Sequence, residues 1–287
     1  MLKPPPYRPA PLPLAAIAAL AFALTGCTAA PNLPADVRLD AYDDAPYAEV
    51  LTASVRGGLV DYRAITDDPG TLDDLDGRLD VYLDAVARFG PESTPEQFPT
   101  EDHRLAYHLN AYNALMIRKW LDGGARTASP TRKVPLQWFV LDRWRIDGKS
   151  MTFQDLEQRL IRPVYNDPRI HAALVCGAID CPPLLDEPFD GDRLDAQLDA
   201  VSRAWFNDPE EQAVFIDDNG RVFLSAIFGW YRDDYRESGG LAATVDQYLD
   251  DDDPRKQPAL DALAGNTVKF KKYDWTINQA PLPPEIQ

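Results

Sequence analysis

The chain has 287 residues, of which 45% are hydrophobic and 10% aromatic, and its formal net charge is −17 at pH 7. This composition is that of a globular protein, and the length is enough for one large domain or two small ones with a sizeable core. The strong negative charge disfavours binding to nucleic acid or to anionic lipid headgroups, which leaves cationic, neutral or small ligands.

The N-terminal segment has the pattern of an export signal. Lys3 and Arg8 precede an apolar run over residues 14–24, which is too short to cross a bilayer as a mature helix. The run ends in Leu24-Thr25-Gly26-Cys27, which resembles the lipobox at which bacterial lipoproteins are cleaved and lipidated. We therefore predict a lipid on Cys27. The alternatives are an ordinary signal peptide that contains a cysteine and a buried N-terminal helix.

A lipid on Cys27 predicts a protein of the cell envelope that is anchored to a membrane. Thr28, rather than an aspartate, follows the cysteine. By resemblance to the sorting rule of Gram-negative lipoproteins, this favours the outer membrane, with the protein facing the periplasm. The predicted organisation is a signal peptide over 1–26, a lipidated tether over 27–39, one globular domain over 40–280 and a tail over 281–287.

The spacing of apolar residues predicts several amphipathic helices. They are expected over residues 47–55, 72–89, 101–122, 152–162, 193–206, 226–235 and 241–249. The turn pairs Asp147-Gly148 and Asn219-Gly220 predict β-hairpins over 138–151 and 214–224. The final segment, residues 268–275, alternates in polarity and is expected to be a strand.

Residues 170–176 are almost continuously apolar and short, and we predict that they form a central strand buried on both faces. Together with the helices and hairpins, this strand predicts an α+β fold. In that fold, helices pack on a small mixed or antiparallel sheet in a single domain.

The helix that follows Thr100 is the best defined by its sequence. Thr100 is a suitable N-cap, and the acidic residues after it suit the positive end of the helix dipole. Asn110 and Asn113 lie on a stripe that adjoins the apolar face. Two amides are therefore expected in the interior, where they need hydrogen-bond partners.

One histidine and two cysteines are the main candidates for chemistry. His171 lies at the start of the predicted strand, and Cys176 and Cys181 lie at its end and just beyond. A thiol and an imidazole together can act as nucleophile and general base. Pro182 suits the first position of a helix, which would place the Cys181 thiol at a positive dipole end and lower its pKa.

A non-catalytic interpretation accounts for the same residues. Once Cys27 is lipidated, Cys176 and Cys181 form an even pair in an oxidising compartment, where a disulfide is expected. His171 would then be a core histidine, and the two asparagines would only cap neighbouring backbone. A zinc site is disfavoured because two cysteines and one near histidine are too few ligands, and the sequence has no phosphate-binding loop. No cofactor is therefore predicted.

Five segments of the chain carry a family resemblance. They are residues 58–62 (GLVDY), 109–115 (LNAYNAL), 167–178 (DPRIHAALVCGA), 181–184 (CPPL) and 273–278 (YDWTIN). In this order, they resemble the DUF547 family, a domain of unknown function found in exported bacterial proteins and in plant proteins. The resemblance implies a fold related to papain-like cysteine hydrolases and transglutaminase-like proteins. The chain departs from the family pattern at Ala172, where a bulky aromatic residue is usual.

Two functional hypotheses follow. In the first, a papain-like domain uses Cys181, or less favourably Cys176, as nucleophile and His171 as base. One of three side chains would orient the imidazole: Glu157, Asn110 or Asn113. The reaction would be acyl transfer that hydrolyses an amide in the envelope, such as a peptide or a peptidoglycan stem. In the second, the protein is a non-catalytic envelope binding or scaffolding protein with a Cys176–Cys181 disulfide.

Overall fold

The computed structural model describes residues 39–65, 74–125, 133–135, 137–208, 210 and 213–281. The predicted signal peptide over 1–26, the lipidation site Cys27 and nearly all of the tether lie outside these residues, as does the tail after residue 281. Among the described residues, no helix combines the length and the apolar character that are needed to span a membrane.

Each of the seven predicted helices is present in whole or in part, but the helix predicted over 226–235 ends at Trp230. Three helices lie where none was predicted, one of them at the start of the hairpin predicted over 138–151, where only residues 144–151 pair as strands. In chain order the helices are α1 Ala45–Ser54, α2 Leu75–Arg88, α3 Glu101–Asp122, α4 Gln137–Val140, α5 Phe153–Asp155, α6 Arg162–Tyr165, α7 Ile170–Ala173, α8 Leu194–Phe206, α9 Ala226–Trp230, α10 Gly240–Tyr248 and α11 Lys256–Ala264. A 3-10 turn, Pro95–Gln97, precedes α3, and a π-helical turn, Leu156–Ile161, joins α5 to α6.

The strands are short and form three small sheets. They are β1 Val55–Arg56, β2 Leu59–Val60, β3 Trp144–Ile146, β4 Lys149–Met151, β5 Val214–Ile216, β6 Val222–Leu224 and β7 Lys269–Phe270. The first two sheets are antiparallel hairpins, whereas β6 pairs antiparallel with β5 and parallel with β7. The predicted α+β class, with helices around a small mixed sheet, is confirmed.

Helix α3 runs through the centre of the core. Its N-cap is Thr100, whose side chain accepts a hydrogen bond from the backbone N–H of His103, as predicted. Nearly every residue from Leu105 to Leu121 is buried, and α2, α8 and the π-helical turn pack around the helix. Because α3 is enclosed on all sides, its polar residues Asn110 and Asn113 must find partners inside the protein.

The prediction of a central strand over residues 170–176 is wrong. Residues Ile170–Ala173 form the short helix α7, and the chain becomes extended at Leu174. The Asp167 side chain accepts a hydrogen bond from the Arg169 backbone N–H, and this local contact favours a turn before α7. Periodicity does not distinguish a short, fully apolar strand from a buried helical turn.

The helix expected after Cys181 is also absent, since residues 182–193 are all described and contain no helix. Cys181 instead ends a turn in which its N–H donates to the Ala178 carbonyl. Pro182 therefore does not lie at a helix N-terminus, and no helix dipole at this position stabilises a negative charge on the Cys181 sulfur.

The C-terminal segment forms less regular strand than predicted. Only Lys269–Phe270 pairs as β7, and the chain then makes isolated bridges from Thr276 to Lys133, from Ile277 to Ala178 and from Gln279 to Val60. The segment thus contacts three parts of the chain that are distant from one another in sequence.

Candidate active site

A cleft of about 450 Å³ opens beside helix α7. The side chains around it include His171 and both cysteines of the 176–181 turn. The π-helical turn contributes Glu157 to the same cleft. Several of the residues that the sequence singled out therefore line one cavity, although their elements are far apart along the chain.

His171 is held rigidly at the edge of this cleft. The residue is only 3% exposed, and its ring stacks on Tyr231 with a centroid distance of 4.1 Å and an interplanar angle of 18°. Its Nε2 lies 2.8 Å from Oδ2 of Asp234. Nδ1 makes no hydrogen bond to any described residue. The carboxylate thus fixes one ring nitrogen and leaves the other for a further proton transfer.

Asp234 was not among the predicted site residues. Besides contacting His171, its carboxylate accepts two hydrogen bonds from the Arg162 guanidinium, at 2.7 and 2.8 Å. Burial disfavours ionisation of this carboxyl, but the hydrogen bonds from His171 and Arg162 outweigh that effect and hold its pKa well below its usual range. The group is therefore a carboxylate at neutral pH and can stabilise a protonated imidazole.

The sequence contains only a weak signal for this role. Asp234 follows α9 in a region that was predicted to continue as a helix, and aspartates are common throughout this acidic chain. Arg162 follows the π-helical turn, a feature that is often found at functional sites but is not readable from hydrophobic periodicity.

The three side chains that were predicted to orient His171 do not do so. Asn110 exchanges two hydrogen bonds with the backbone of Phe189, both at 2.8 Å. Asn113 donates to the Ala173 carbonyl and accepts from the Val175 N–H, both at 2.9 Å. These amides match the backbone-capping alternative, and Asn113 positions the chain between His171 and Cys176.

Glu157 lines the cleft, but its carboxylate hydrogen-bonds the Gln158 amide at 2.9 Å rather than the imidazole. It also interacts with Tyr231, and this negative charge adds to burial in raising the pKa of the Tyr231 phenol. Since Tyr231 stacks on His171, Glu157 remains near the candidate site. The contact that was expected from Glu157 is made by Asp234.

Cys176 and Cys181 are joined as a disulfide, with their Cα atoms 6.3 Å apart. The Sγ atom of Cys181 lies 3.0 Å from the Cys176 backbone nitrogen and 3.1 Å from the Tyr273 hydroxyl, and both groups are donors. Cys176 Sγ lies 3.5 Å from the same hydroxyl. Of the two sulfur atoms, that of Cys181 therefore has the surroundings that better stabilise a negative charge.

Gly177 makes the turn between the cysteines possible. Its φ of 75° lies in the left-handed region, and a Cβ atom there would collide with the Trp120 indole. The indole N–H donates to the Cys176 carbonyl at 3.3 Å. Helix α3 thus fixes the cysteine turn through Trp120, while Asn113 fixes the residues before it.

Three aromatic side chains form an aromatic wall of the cleft beside the cysteines. It consists of Trp230, Tyr273 and Trp275, and Trp230 stacks on Trp275 with a centroid distance of 5.7 Å. Trp230 is 50% exposed, which is unusual for so large an apolar side chain. Burial raises the pKa of the Tyr273 phenol well above its usual value, so this hydroxyl remains a donor.

The fold and the cleft define an α+β protein in which a histidine that contacts a carboxylate lines the same cavity as a cysteine pair. Residues 95–206 match the model of a family described as "Protein of unknown function, DUF547". The family resemblance seen in the sequence is thereby confirmed over this segment, which includes His171 and both cysteines. Asp234 and the aromatic wall lie beyond it. No curated protein and no solved structure matches the chain.

Proposed function

We propose that the cleft is the active site of a cysteine-dependent amide hydrolase or acyl transferase, which works once the Cys176–Cys181 disulfide is reduced. One observation carries the proposal: an imidazole fixed by the Asp234 carboxylate lines the same cavity as both sulfurs. A thiol, a base and a group that orients the base are the components of nucleophilic acyl transfer. The papain-like arrangement predicted from the sequence belongs to this proposal.

Cys181 is the proposed nucleophile. In the reduced protein, the Cys176 N–H and the Tyr273 hydroxyl would donate to its sulfur and favour the thiolate. Cys176 lacks a comparable pair of donors among the described residues. Cys176 is the resolving thiol: its disulfide with Cys181 is restored when a disulfide oxidant takes two electrons and two protons from the pair and is itself reduced to a dithiol.

The proposed reaction begins with a dithiol reductant, which gives two electrons and two protons to the disulfide and is itself oxidised to a disulfide. His171 takes the proton of the Cys181 thiol, and the thiolate attacks the carbonyl carbon of an amide. The C–N bond breaks as His171 returns the proton to the amine, which leaves a thioester. Water, or another amine in a transferase, then releases the acyl group and restores the thiol.

The cleft also suggests the kind of substrate. The exposed face of Trp230 offers a stacking surface, and Glu157 together with the negative charge of the chain disfavours anionic groups near the scissile bond. A peptide segment with neutral or cationic side chains fits these properties. A peptide or peptidoglycan stem of the cell envelope is the substrate class that we propose.

The test is thiol alkylation with a mass-spectrometric readout. After mild reduction with dithiothreitol, we expect iodoacetamide to modify Cys181 faster than Cys176 and faster than free cysteine at neutral pH. The rate at Cys181 should fall by at least about tenfold in His171→Gln, because a paired imidazolium no longer stabilises the thiolate. Cys176→Ser is the matched control and should keep the fast reaction. If neither cysteine reacts faster than free cysteine, the proposal is wrong.

The disulfide itself favours a second candidate function. A closed Cys176–Cys181 bond has no nucleophile and restrains the turn beside the aromatic wall, which suits a non-catalytic envelope binding or scaffolding protein. If the disulfide persists in the cell, and the Cys181→Ser variant supports growth and envelope integrity as well as wild type does, this function is favoured over catalysis.

Anchoring through Cys27, with the protein facing the periplasm from the outer membrane, is part of both proposals. It is supported by the Leu24-Thr25-Gly26-Cys27 motif and by Thr28. We expect labelled palmitate to be incorporated into the wild-type chain and not into Cys27→Ala when both are expressed in a Gram-negative host. Equal labelling of the two proteins would contradict the lipoprotein assignment.

A further inference from the structure

The aromatic wall of the cleft lies directly beside the proposed nucleophile. The Tyr273 hydroxyl is 3.1 Å from the Cys181 sulfur. The centroid of the Tyr273 ring lies 4.9 Å from that of Trp230 and 4.5 Å from that of Trp275. Trp230 is 50% exposed and Trp275 is partly exposed. A substrate whose carbonyl carbon is attacked by the Cys181 sulfur would therefore place a neighbouring side chain against these two indoles.

The charged side chains of the cleft favour a positive group there. Among the described residues that line the cleft, Glu157 is the one carboxylate, and none is a lysine or an arginine. Glu157 is partly exposed and forms no ion pair with a described residue. Arg162 lies close enough to interact with its charge, but the guanidinium pairs with Asp234, and Arg159 pairs with Asp155. The Glu157 carboxylate can therefore pair with a cation from outside the protein.

Glu157 is connected to the aromatic wall through Tyr231. Tyr231 follows Trp230 in the chain and lines the same cleft, and its hydroxyl interacts with the Glu157 carboxylate. The Tyr231 ring also stacks on His171. One cavity thus presents a carboxylate and exposed indole rings next to the proposed base.

This combination distinguishes between classes of ligand. The face of an aromatic ring attracts a cation, and tryptophan attracts it most strongly. A neutral apolar group would contact the rings but would gain nothing from the carboxylate, and an anion would be repelled by it. The net charge of −17 on the whole chain adds to the attraction for a cation.

We propose that Glu157 and the aromatic wall form a subsite for an organic cation, namely the protonated amine of a lysine-like side chain. The ammonium group would pair with Glu157, and the methylene chain would lie on the rings of Trp230 and Trp275. The assignment of this side chain to a substrate rests on the proposed acyl transfer. Binding of the cation itself does not require a free thiol.

The test is an NMR titration of the full-length protein in detergent, with the disulfide closed. The three probes share one backbone: Nα-acetyl-lysinamide is cationic, Nα-acetyl-norleucinamide is neutral and the α-amide of Nα-acetyl-glutamic acid is anionic. The indole N–H resonance of Trp230 is the one that is absent from the spectrum of Trp230→Leu. We expect this resonance to shift saturably with the lysine probe, with a dissociation constant about fivefold to tenfold below that of the norleucine probe. The anionic probe should cause no saturable shift.

Two variants separate the contributions of charge and ring. Glu157→Gln keeps the size of the side chain and removes its charge, so the preference for the lysine probe over the norleucine probe should fall to about twofold. Trp230→Leu should weaken binding of the lysine probe by about threefold or more, as followed on the Trp275 indole resonance.

Glu49→Gln is the matched control for the loss of charge. Glu49 lies on α1, its side chain is 53% exposed, and it does not line the cleft. Its variant should keep the preference of the wild-type protein for the lysine probe.

Equal affinity of the wild-type protein for the lysine and norleucine probes, or an unchanged preference in Glu157→Gln, would overturn the proposal. Neither result would bear on acyl transfer, which is tested separately by the alkylation of Cys181 in the reduced protein. A preference for the lysine probe without a reactive Cys181 would support the cation subsite in a non-catalytic binding protein.

Discussion

Two buried histidines of this chain lie in opposite electrostatic surroundings. His171, in the cleft, contacts the Asp234 carboxylate at 2.8 Å and stacks on Tyr231. His108, inside the core on α3, has one side-chain hydrogen-bond partner among the described residues, the Tyr165 hydroxyl at 3.3 Å. Both are nearly inaccessible, so the difference in chemistry comes from the neighbouring groups and not from burial.

The surroundings of His108 and of His171 act differently on the imidazole. Burial lowers the pKa of His108 to about 4, although the more distant carboxylates of Asp147 and Glu92 act in the opposite direction. The core therefore keeps His108 neutral, as suits a packing residue. His171 has the ionised Asp234 carboxylate in direct contact. The proposed proton transfer depends on this contact, which His108 lacks.

The largest effect is expected from removing the carboxylate charge beside His171. In the reduced protein, Asp234→Asn should slow alkylation of Cys181 by about tenfold to a hundredfold below neutral pH, because the imidazolium that favours the thiolate is no longer stabilised. It should also lower the free energy of unfolding by about 1–3 kcal/mol, since Arg162 loses its partner. The alkylation rate of Cys181 is measured by quenching the reaction at successive times, and the free energy of unfolding is measured by urea denaturation.

Asp233→Asn is the matched control for this prediction. Asp233 precedes Asp234 and pairs with Arg236, but its side chain is 66% exposed. Its replacement should change stability by at most about 0.5 kcal/mol and leave the alkylation rate unaltered. If both variants behave alike, the carboxylate of Asp234 has no special role.

A smaller effect is expected from the core histidine. As the pH falls from about 6.5 to about 4, the unfolded chain binds a proton at His108, whereas the folded chain does not. The stability of the folded state should therefore decrease over this range, by on the order of 3 kcal/mol from this group, and change no further from it at lower pH.

Replacing the histidine with glutamine removes this titration. We expect His108→Gln to have a flatter dependence of unfolding free energy on pH between these limits than wild type, as measured by urea denaturation at successive pH values. An equal slope in the two proteins would show that His108 is not held neutral by the core. The alkylation rate of Cys181 should not change, in contrast to His171→Gln.

Features set by neighbouring residues were predictable from the sequence. The Thr100 cap of α3 and the capping box at Thr152 depend on contacts within one helical turn, and both are present. The hairpin turns at Asp147-Gly148 and Asn219-Gly220 likewise join β3 to β4 and β5 to β6. The burial of Asn110 and Asn113 was predictable because the helical period places them beside the apolar face.

The candidate site was predictable only in part. His171 and both cysteines stand out by residue type, and they do line one cleft. The partner of His171 was missed because Asp234 is 63 residues further along the chain, among many aspartates of similar local pattern. The strand prediction for residues 170–176 was wrong because a short apolar segment has no periodicity that separates strand from helix.

The α+β class, the helix caps, the hairpin turns and the residue types available for chemistry could therefore be predicted from local sequence patterns. Each of these depends on side chains within a few positions of one another. Which carboxylate contacts His171, and which aromatic side chains of the C-terminal segment line the cleft, could be learned only from the tertiary structure. Those contacts join segments separated by many residues, and their formation depends on how the whole core packs.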